Sequence, residues 1–212
     1  MIPLDAVTRT GHFLGMDHRS RLRALLARRA VVLGDFTLSG GTRSSYYIDA
    51  RRATMSAEGQ YLVGALGFRT VREADAGVSW VGGLTLGADP IAYAIAHRSW
   101  LEREELNAFT VRKEAKTHGL ARRIEGGLPD GARVIVIEDT ITSGASALRA
   151  VDVLEERGCD VRAILTLIDR EEGGALRIRD RGYRLVSLFR AAELLETRGP
   201  QRTVRNGMTR QR

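Results

Sequence analysis

RVIVIEDTITSGASALRA, residues 133–150, is the stretch from which the fold of this 212-residue chain can be read. Four consecutive β-rich apolar residues, Val134 to Ile137, give way to two adjacent carboxylates, Glu138 and Asp139. A short turn of Thr140, Ile141, Thr142, Ser143 and Gly144 follows, and then an alanine- and leucine-bearing helical pattern begins. An unbroken apolar run predicts a strand buried on both faces, as in a parallel sheet covered by helices. In such sheets ligands collect at the carboxyl ends of the strands. The free N–H groups and dipole at a helix start favour phosphate. Hydroxyls on Thr140, Thr142, Ser143 and Ser146 add donors, and Gly144 lets the backbone come close to a ligand. Two acids beside a phosphate cradle would repel the anion unless they face something neutral or cationic. A ribose diol, a magnesium ion, or both meet that requirement. An ordinary strand-to-helix turn capped by hydroxyls would explain the threonines and serines but not the acids. The ligand implied is a ribose phosphate. The glycine patterns for a nucleoside triphosphate and for a dinucleotide are both missing from the sequence.

Outward from this motif the chain alternates strand and helix patterns. Residues 78–83, 107–112, 161–169 and 184–189 read as further strands, and residues 88–104 and 144–157 as helices. Towards the N-terminus, helices are predicted over 19–31 and 57–73, each with an apolar stripe at helical spacing. The intervening GDFTLSGGTRSSYYIDARRA reads as turns and short strands. The prediction is an α/β fold with a mainly parallel central sheet flanked by helices. Its parts are an N-terminal helix and hood over 18–56 and a core over 57–196. Residues 1–17 and the arginine-rich 197–212 show no period and are expected to be disordered. Translation could start at Met1 or Met16.

Segment 113–131 is a long polar connection between two apolar strands, a length that usually marks a functional lid or disorder. It holds the two lysines of the chain, Lys113 and Lys116, among 33 basic residues that are otherwise arginine. Arg112 and His118 flank them. Lysine offers a compact ammonium with three donors that can swing onto a phosphate, where arginine offers a planar fork.

The net charge of +7 owes five arginines to residues 197–212. It implies affinity for anions rather than for nucleic acid in particular. A single cysteine, Cys159, excludes an internal disulfide framework and a zinc site, and makes a reducing, cytoplasmic setting the expectation. No apolar run approaches the length of a membrane span.

Four apolar residues, two acids and T-x-T-S-G-A-S resemble the phosphoribosyl pyrophosphate (PRPP) motif of type I phosphoribosyltransferases. FTLSGGTRSSYYID (36–49) is similar to the N-terminal segment of the orotate phosphoribosyltransferases, RKEAKTHG (112–119) to their mobile catalytic loop, and IDR (168–170) to their orotate-side arginine. The resemblance spans about residues 18 to 195 and implies the type I fold with a small N-terminal hood. It also implies Mg2+-dependent transfer from PRPP to orotate, giving orotidine 5′-monophosphate and pyrophosphate. By the same resemblance Glu138 and Asp139 hold the ribose hydroxyls, and Thr140, Ile141, Thr142, Ser143, Gly144, Ala145 and Ser146 cradle the 5′-phosphate. Arg112, Lys113, Lys116 and His118 bind pyrophosphate, with Lys116, Glu138 and Asp139 as the catalytic set. Thr142 and Arg170 contact orotate, and Tyr46 and Tyr47 lie along the base. VGGLTLGADP (81–90) forms a second pyrophosphate-side loop. Mg2+ is expected to be held mainly by PRPP, with Asp139 reaching it through water. A homodimer sharing loop 112–119 across its interface is implied, with no membrane partner.

Two departures stand out. Ser39 replaces a lysine that many members carry, and Glu138 replaces the more usual aspartate. The chain is also too short to contain the decarboxylase that some organisms fuse to this activity. The rival readings are transfer to another nucleobase and a non-catalytic PRPP sensor that binds RNA.

Overall fold

A computed structural model describes residues 17–37, 43–114 and 123–199. Helix α1 (His18–Arg29) opens the described chain; Asp17 caps it by accepting from the Ser20 N–H at 2.7 Å. Leu22, Leu25, Leu26 and Ala27 make its buried stripe. Strands β1 (Val31–Thr37) and β2 (Arg43–Ile48) pair antiparallel as a separate two-stranded hood. The helical pattern therefore stops two residues earlier than predicted: Ala30 is the C-cap and the β-branched Val31 and Val32 enter the hairpin. A single-turn helix, α2 (Arg51–Thr54), leads to α3 (Ala57–Ala74), which Ser56 caps through the Gly59 N–H.

The core sheet follows. It comprises β3 (Trp80–Leu84), β4 (Asn107–Val111), β5 (Ile124–Glu125), β6 (Arg133–Ile141), β7 (Asp160–Asp169) and β8 (Leu185–Arg190), in the order β5-β4-β3-β6-β7-β8. All neighbours run parallel except the short β5, which pairs antiparallel with β4. Helices α4 (Asp89–Leu101), α5 (Ala145–Glu155), α6 (Gly174–Asp180) and α7 (Ala191–Arg198) connect or follow the strands.

Strand β6 shows why an unbroken apolar run was needed. Ile135 and Ile137 pack into the cluster formed with α1, α3 and α4, while Val134 and Val136 pack into the cluster on the α5 side. Successive side chains of a strand point to opposite faces, so a strand covered on both sides must be apolar at every position. Each fully buried isoleucine or valine of this kind contributes about 1.5–3 kcal/mol.

The strand order also locates the site. From β3 the chain moves outward to β4, then returns to place β6 on the other side of β3. The connections thus diverge at the carboxyl ends of β3 and β6, the switch point at which α/β sheets open a crevice. Both key loops leave from there: residues 85–88 after β3, and the turn that ends in Gly144 after β6.

Four short elements went unpredicted: α2, β5, α6 and α7. Helix α7 carries the chain to Arg198, two residues into the expected tail. There Nη1 of Arg198 donates to the carbonyls of Ala27 and Arg28, fastening α7 to the end of α1. None of the described helices is long and apolar enough to cross a membrane.

Candidate active site

A cleft of about 680 Å³ opens over the switch point. Its floor is the end of β6. Glu138 is 6% exposed, and its Oε2 is buried with no hydrogen-bond partner. Burial, reinforced by the neighbouring Asp139 charge, pushes the Glu138 carboxyl well above the usual carboxylate range. Burial also raises Asp139, although the Thr140 N–H, donating to its Oδ1 at 2.7 Å, and the nearby Arg51 work in the other direction. A buried acid beside a half-buried one is unfavourable for a closed core. The pair suits a wall that expects hydroxyl donors or a cation.

Beyond the acids the backbone turns through Gly144, whose φ of +76° is the left-handed region that favours glycine. Helix α5 then starts without a side-chain cap. Apart from the Ala145 N–H, which makes a long 3.5 Å hydrogen bond to Ser143 Oγ, its first amides are available to an anion. Thr140, Thr142 and Ser146 line the cleft beside them. Ile141 is a core residue, 1% exposed, and can serve the site only through its backbone; Ser143, Gly144 and Ala145 are not among the lining side chains.

The opposite side of the cleft carries Arg170, 7% exposed. Its backbone N–H donates to Ile141 O at 2.9 Å, tying the end of β7 to the phosphate turn. Its guanidinium lies 4.9 Å from the centroid of the Tyr46 ring, and Nε donates to Glu172 Oε1 at 2.8 Å. Nη2 sits 2.7 Å from the same oxygen but out of hydrogen-bonding alignment, and it is buried without another partner. Tyr46 thus supports the arginine from beneath, whereas Tyr47 lines the cleft itself.

The turn after β3 forms the third wall. Thr85, Leu86 and Gly87 line the cleft. A Cβ on Gly87 would stand 2.6 Å from Oδ1 of Asp139, so only glycine lets the turn lie against that carboxylate. Lys113 reaches the rim. Arg112 does not line the cleft; its Nη1 lies 3.6 Å from Glu125 on β5. Lys116, His118 and Ser39 lie outside the described residues.

Sequence reading missed Phe36, Thr37, Asp49 and Arg51, which also line the cleft. Arg51 Nε donates to Asp49 Oδ1 at 2.9 Å, which holds the arginine in place. The charged D-A-R step at the end of YYIDAR was the available signal, but the hairpin that aims it inward is a tertiary feature.

No protein-family model matches the chain. Curated relatives do. An orotate phosphoribosyltransferase of Aquifex aeolicus is 45% identical over 85% of this chain and 99% of its own length. One from Thermosynechococcus vestitus is 47% identical over 84% of this chain and 93% of its own. The chain belongs to the orotate phosphoribosyltransferases. Its activity is accordingly that of a pentosyltransferase of pyrimidine biosynthesis, and the alternatives of another base or an RNA-binding sensor are not favoured. Among solved structures, the orotate phosphoribosyltransferase of Mycobacterium tuberculosis in complex with PRPP superimposes with a TM-score of 0.70 at 40% identity, covering 84% of this chain and 99% of that one. The same enzyme in complex with Fe(III) dicitrate gives 0.73 at 44% identity. An adenine phosphoribosyltransferase of Leishmania tarentolae, 16% identical with a TM-score of 0.59, shares the fold alone. The type I phosphoribosyltransferase fold expected for this orotate phosphoribosyltransferase is thus the observed one.

Proposed function

We propose that the cleft seats PRPP with its diol on Glu138 and Asp139, its 5′-phosphate on the turn into α5, and orotate between Tyr47 and Arg170. One observation carries this reading. Arg170, whose Nη2 is ion-paired with Glu172 but makes no hydrogen bond, and Glu138, whose buried Oε2 has no hydrogen-bond partner, line the same cleft as a phosphate-type turn. Buried polar atoms left short of hydrogen bonds are expensive. A ligand bearing a carboxylate at one end and a diol at the other relieves both. PRPP and orotate together are that ligand. Thr142, which lines the cleft, would contact both the phosphate and the base.

In the reaction a ring nitrogen of orotate loses its proton, to solvent or to the departing pyrophosphate, and bonds to ribose C1 as the bond from C1 to pyrophosphate breaks. The ribose becomes cation-like, and negative charge grows on the departing pyrophosphate. Glu138 and Asp139 hold the hydroxyls beside the cationic carbon. Lys113, together with Arg112, Lys116 and His118, neutralises the leaving group. A lysine about 4 Å from one such charge contributes about 1 kcal/mol in water, and about 4 at an effective dielectric near 20. The same ammonium therefore does more where water is excluded.

Phosphoribosyltransferases that use PRPP typically employ Mg2+. The donor set fits it: Glu138 and Asp139 offer hard carboxylate oxygens, one of them orphaned. Among the described residues no three His, Cys, Asp or Glu side chains are grouped as a metal site. The cation would be held mainly by the phosphates and hydroxyls of PRPP, with Asp139 touching it through water, and it would supply charge neutralisation on pyrophosphate. We further propose a cytoplasmic homodimer in which loop 112–119 is shared across the interface, Lys113 on its own chain's cleft and Lys116 serving the neighbouring subunit's.

The direct test mixes purified protein with PRPP, Mg2+ and orotate and follows the loss of orotate absorbance, with adenine, guanine and uracil as competitors. Consumption of orotate that the three neutral bases do not inhibit is the expected result; transfer to any of them would overturn the assignment.

A further inference from the structure

Asp89, the first residue of α4, does not line the cleft, yet it joins two of its walls. Its Oδ2 accepts from the Thr85 hydroxyl at 2.7 Å, and its Oδ1 accepts from the Thr110 hydroxyl at 2.9 Å. Thr85 belongs to the turn after β3 and lines the cleft. Thr110 is the penultimate residue of β4, two residues before Arg112 and three before Lys113. Tyr93, one turn along α4, shares a 2.8 Å hydrogen bond with the same Thr110 hydroxyl. The Thr85 N–H donates to Val111 O at 2.9 Å, so backbone and side chains connect the same two segments.

We propose that Asp89 is a positioning residue: its two carboxylate oxygens fix the register between the turn 85–88 and the end of β4, so that the turn and the Lys113 cation present one pyrophosphate site. This rests on the reading of the cleft as a PRPP site. A carboxylate is suited to the task because it accepts from two hydroxyls at once and imposes a fixed distance between them. It is tolerated near an anion because both oxygens are turned to hydroxyls and because it sits at the start of a helix, where negative charge is favoured. The turn passes its position on: Gly87 lies against Asp139, so a shift of the turn moves both the pyrophosphate wall and the diol wall.

The test compares full-length Asp89→Ala, Asp89→Asn and Thr110→Val with the wild type. The readouts are orotate kinetics, calorimetric titration with magnesium pyrophosphate, and thermal unfolding. In Asp89→Ala, pyrophosphate affinity and kcat/KM for PRPP fall by about 30- to 100-fold, the scale of a displacement near 1 Å. The KM for orotate changes by less than about threefold. Asp89→Asn recovers most of the loss, because an amide still bonds both hydroxyls. Thr110→Val cuts one arm remote from the cleft and gives the same split in smaller measure, which also decides the matter should Asp89→Ala not fold. Unchanged pyrophosphate affinity in Asp89→Ala and Thr110→Val would overturn the proposal. So would a loss that falls equally on orotate and thermal stability and is not rescued by asparagine. A wild type that binds magnesium pyrophosphate but converts no orotate would sink the functional reading alone, and the titrations would still decide the role of Asp89.

Discussion

At Glu138 the chemistry of one residue sets stability against function. Its carboxyl is held well above the ordinary range by burial and by Asp139. Below the ordinary carboxylate range the group is protonated whether the chain is folded or unfolded, and it costs nothing. As pH rises past that range the unfolded chain ionises first, so the ligand-free protein loses stability until the raised folded value is passed. Glu138→Gln removes this contribution and leaves only the smaller one from Asp139. The midpoint of thermal unfolding should therefore fall less between pH 5 and pH 8 in the variant than in the wild type, measured without ligand, while kcat/KM for PRPP drops sharply. Arg170 is the complementary case. Its truncation removes a cation whose Nη2, though ion-paired with Glu172, makes no hydrogen bond. Arg170→Ala should raise the KM for orotate by roughly 10- to 150-fold, the range for hydrogen bonds to a charged group, and leave the KM for PRPP within about threefold. Equal losses for the two substrates in steady-state kinetics would mean that the arginine supports the fold of the site rather than the base.

Elements explain why these residues meet. Strands β3 and β6 are neighbours in parallel register, Trp80 opposite Val134 and Gly82 opposite Val136, so their ends open on the same side. The turn after β3 then lies on the carboxylate after β6, and Gly87 is the contact point. In Gly87→Ala a Cβ would meet Asp139 Oδ1 at 2.6 Å. The expected outcome is a fall in kcat/KM for PRPP on the order of 100-fold with little change in the unfolding midpoint, because the conflict is local to the cleft. A variant with wild-type PRPP kinetics would show that the turn is free to move away. The same scale marks the limit of reading elements from sequence. The long strands and helices were legible because their periodicity runs over many residues. Helices α6 and α7, of seven and eight residues, and the two-residue β5 carry too little pattern to stand out. Their existence follows from packing, as with Arg198 reaching back to α1.

The whole molecule raises the question of where the cations of 112–119 act. If Lys116 serves a neighbouring subunit, a dimer built from one Lys116→Ala chain and one Glu138→Gln chain has one intact cleft. Mixing the two inactive variants under exchange should then restore about a quarter of wild-type orotate turnover, since half the dimers are mixed and each holds one good site of two. No recovery on mixing would mean that each chain's loop serves its own cleft. By itself the sequence determined the buried parallel sheet, the acid pair at a strand end, the phosphate turn, the paired lysines and, through the resemblance those motifs carry, the chemistry. Each is local: a run of apolar residues or a spacing along a few positions is enough to require it. Only the tertiary structure decided that Phe36, Asp49 and Arg51 from the hood enter the cleft, that Tyr46 lies under Arg170, and that Asp89 joins two walls. Those contacts link segments far apart in the chain, and they arise from the packing of the hood, α4 and the strand ends rather than from any local pattern.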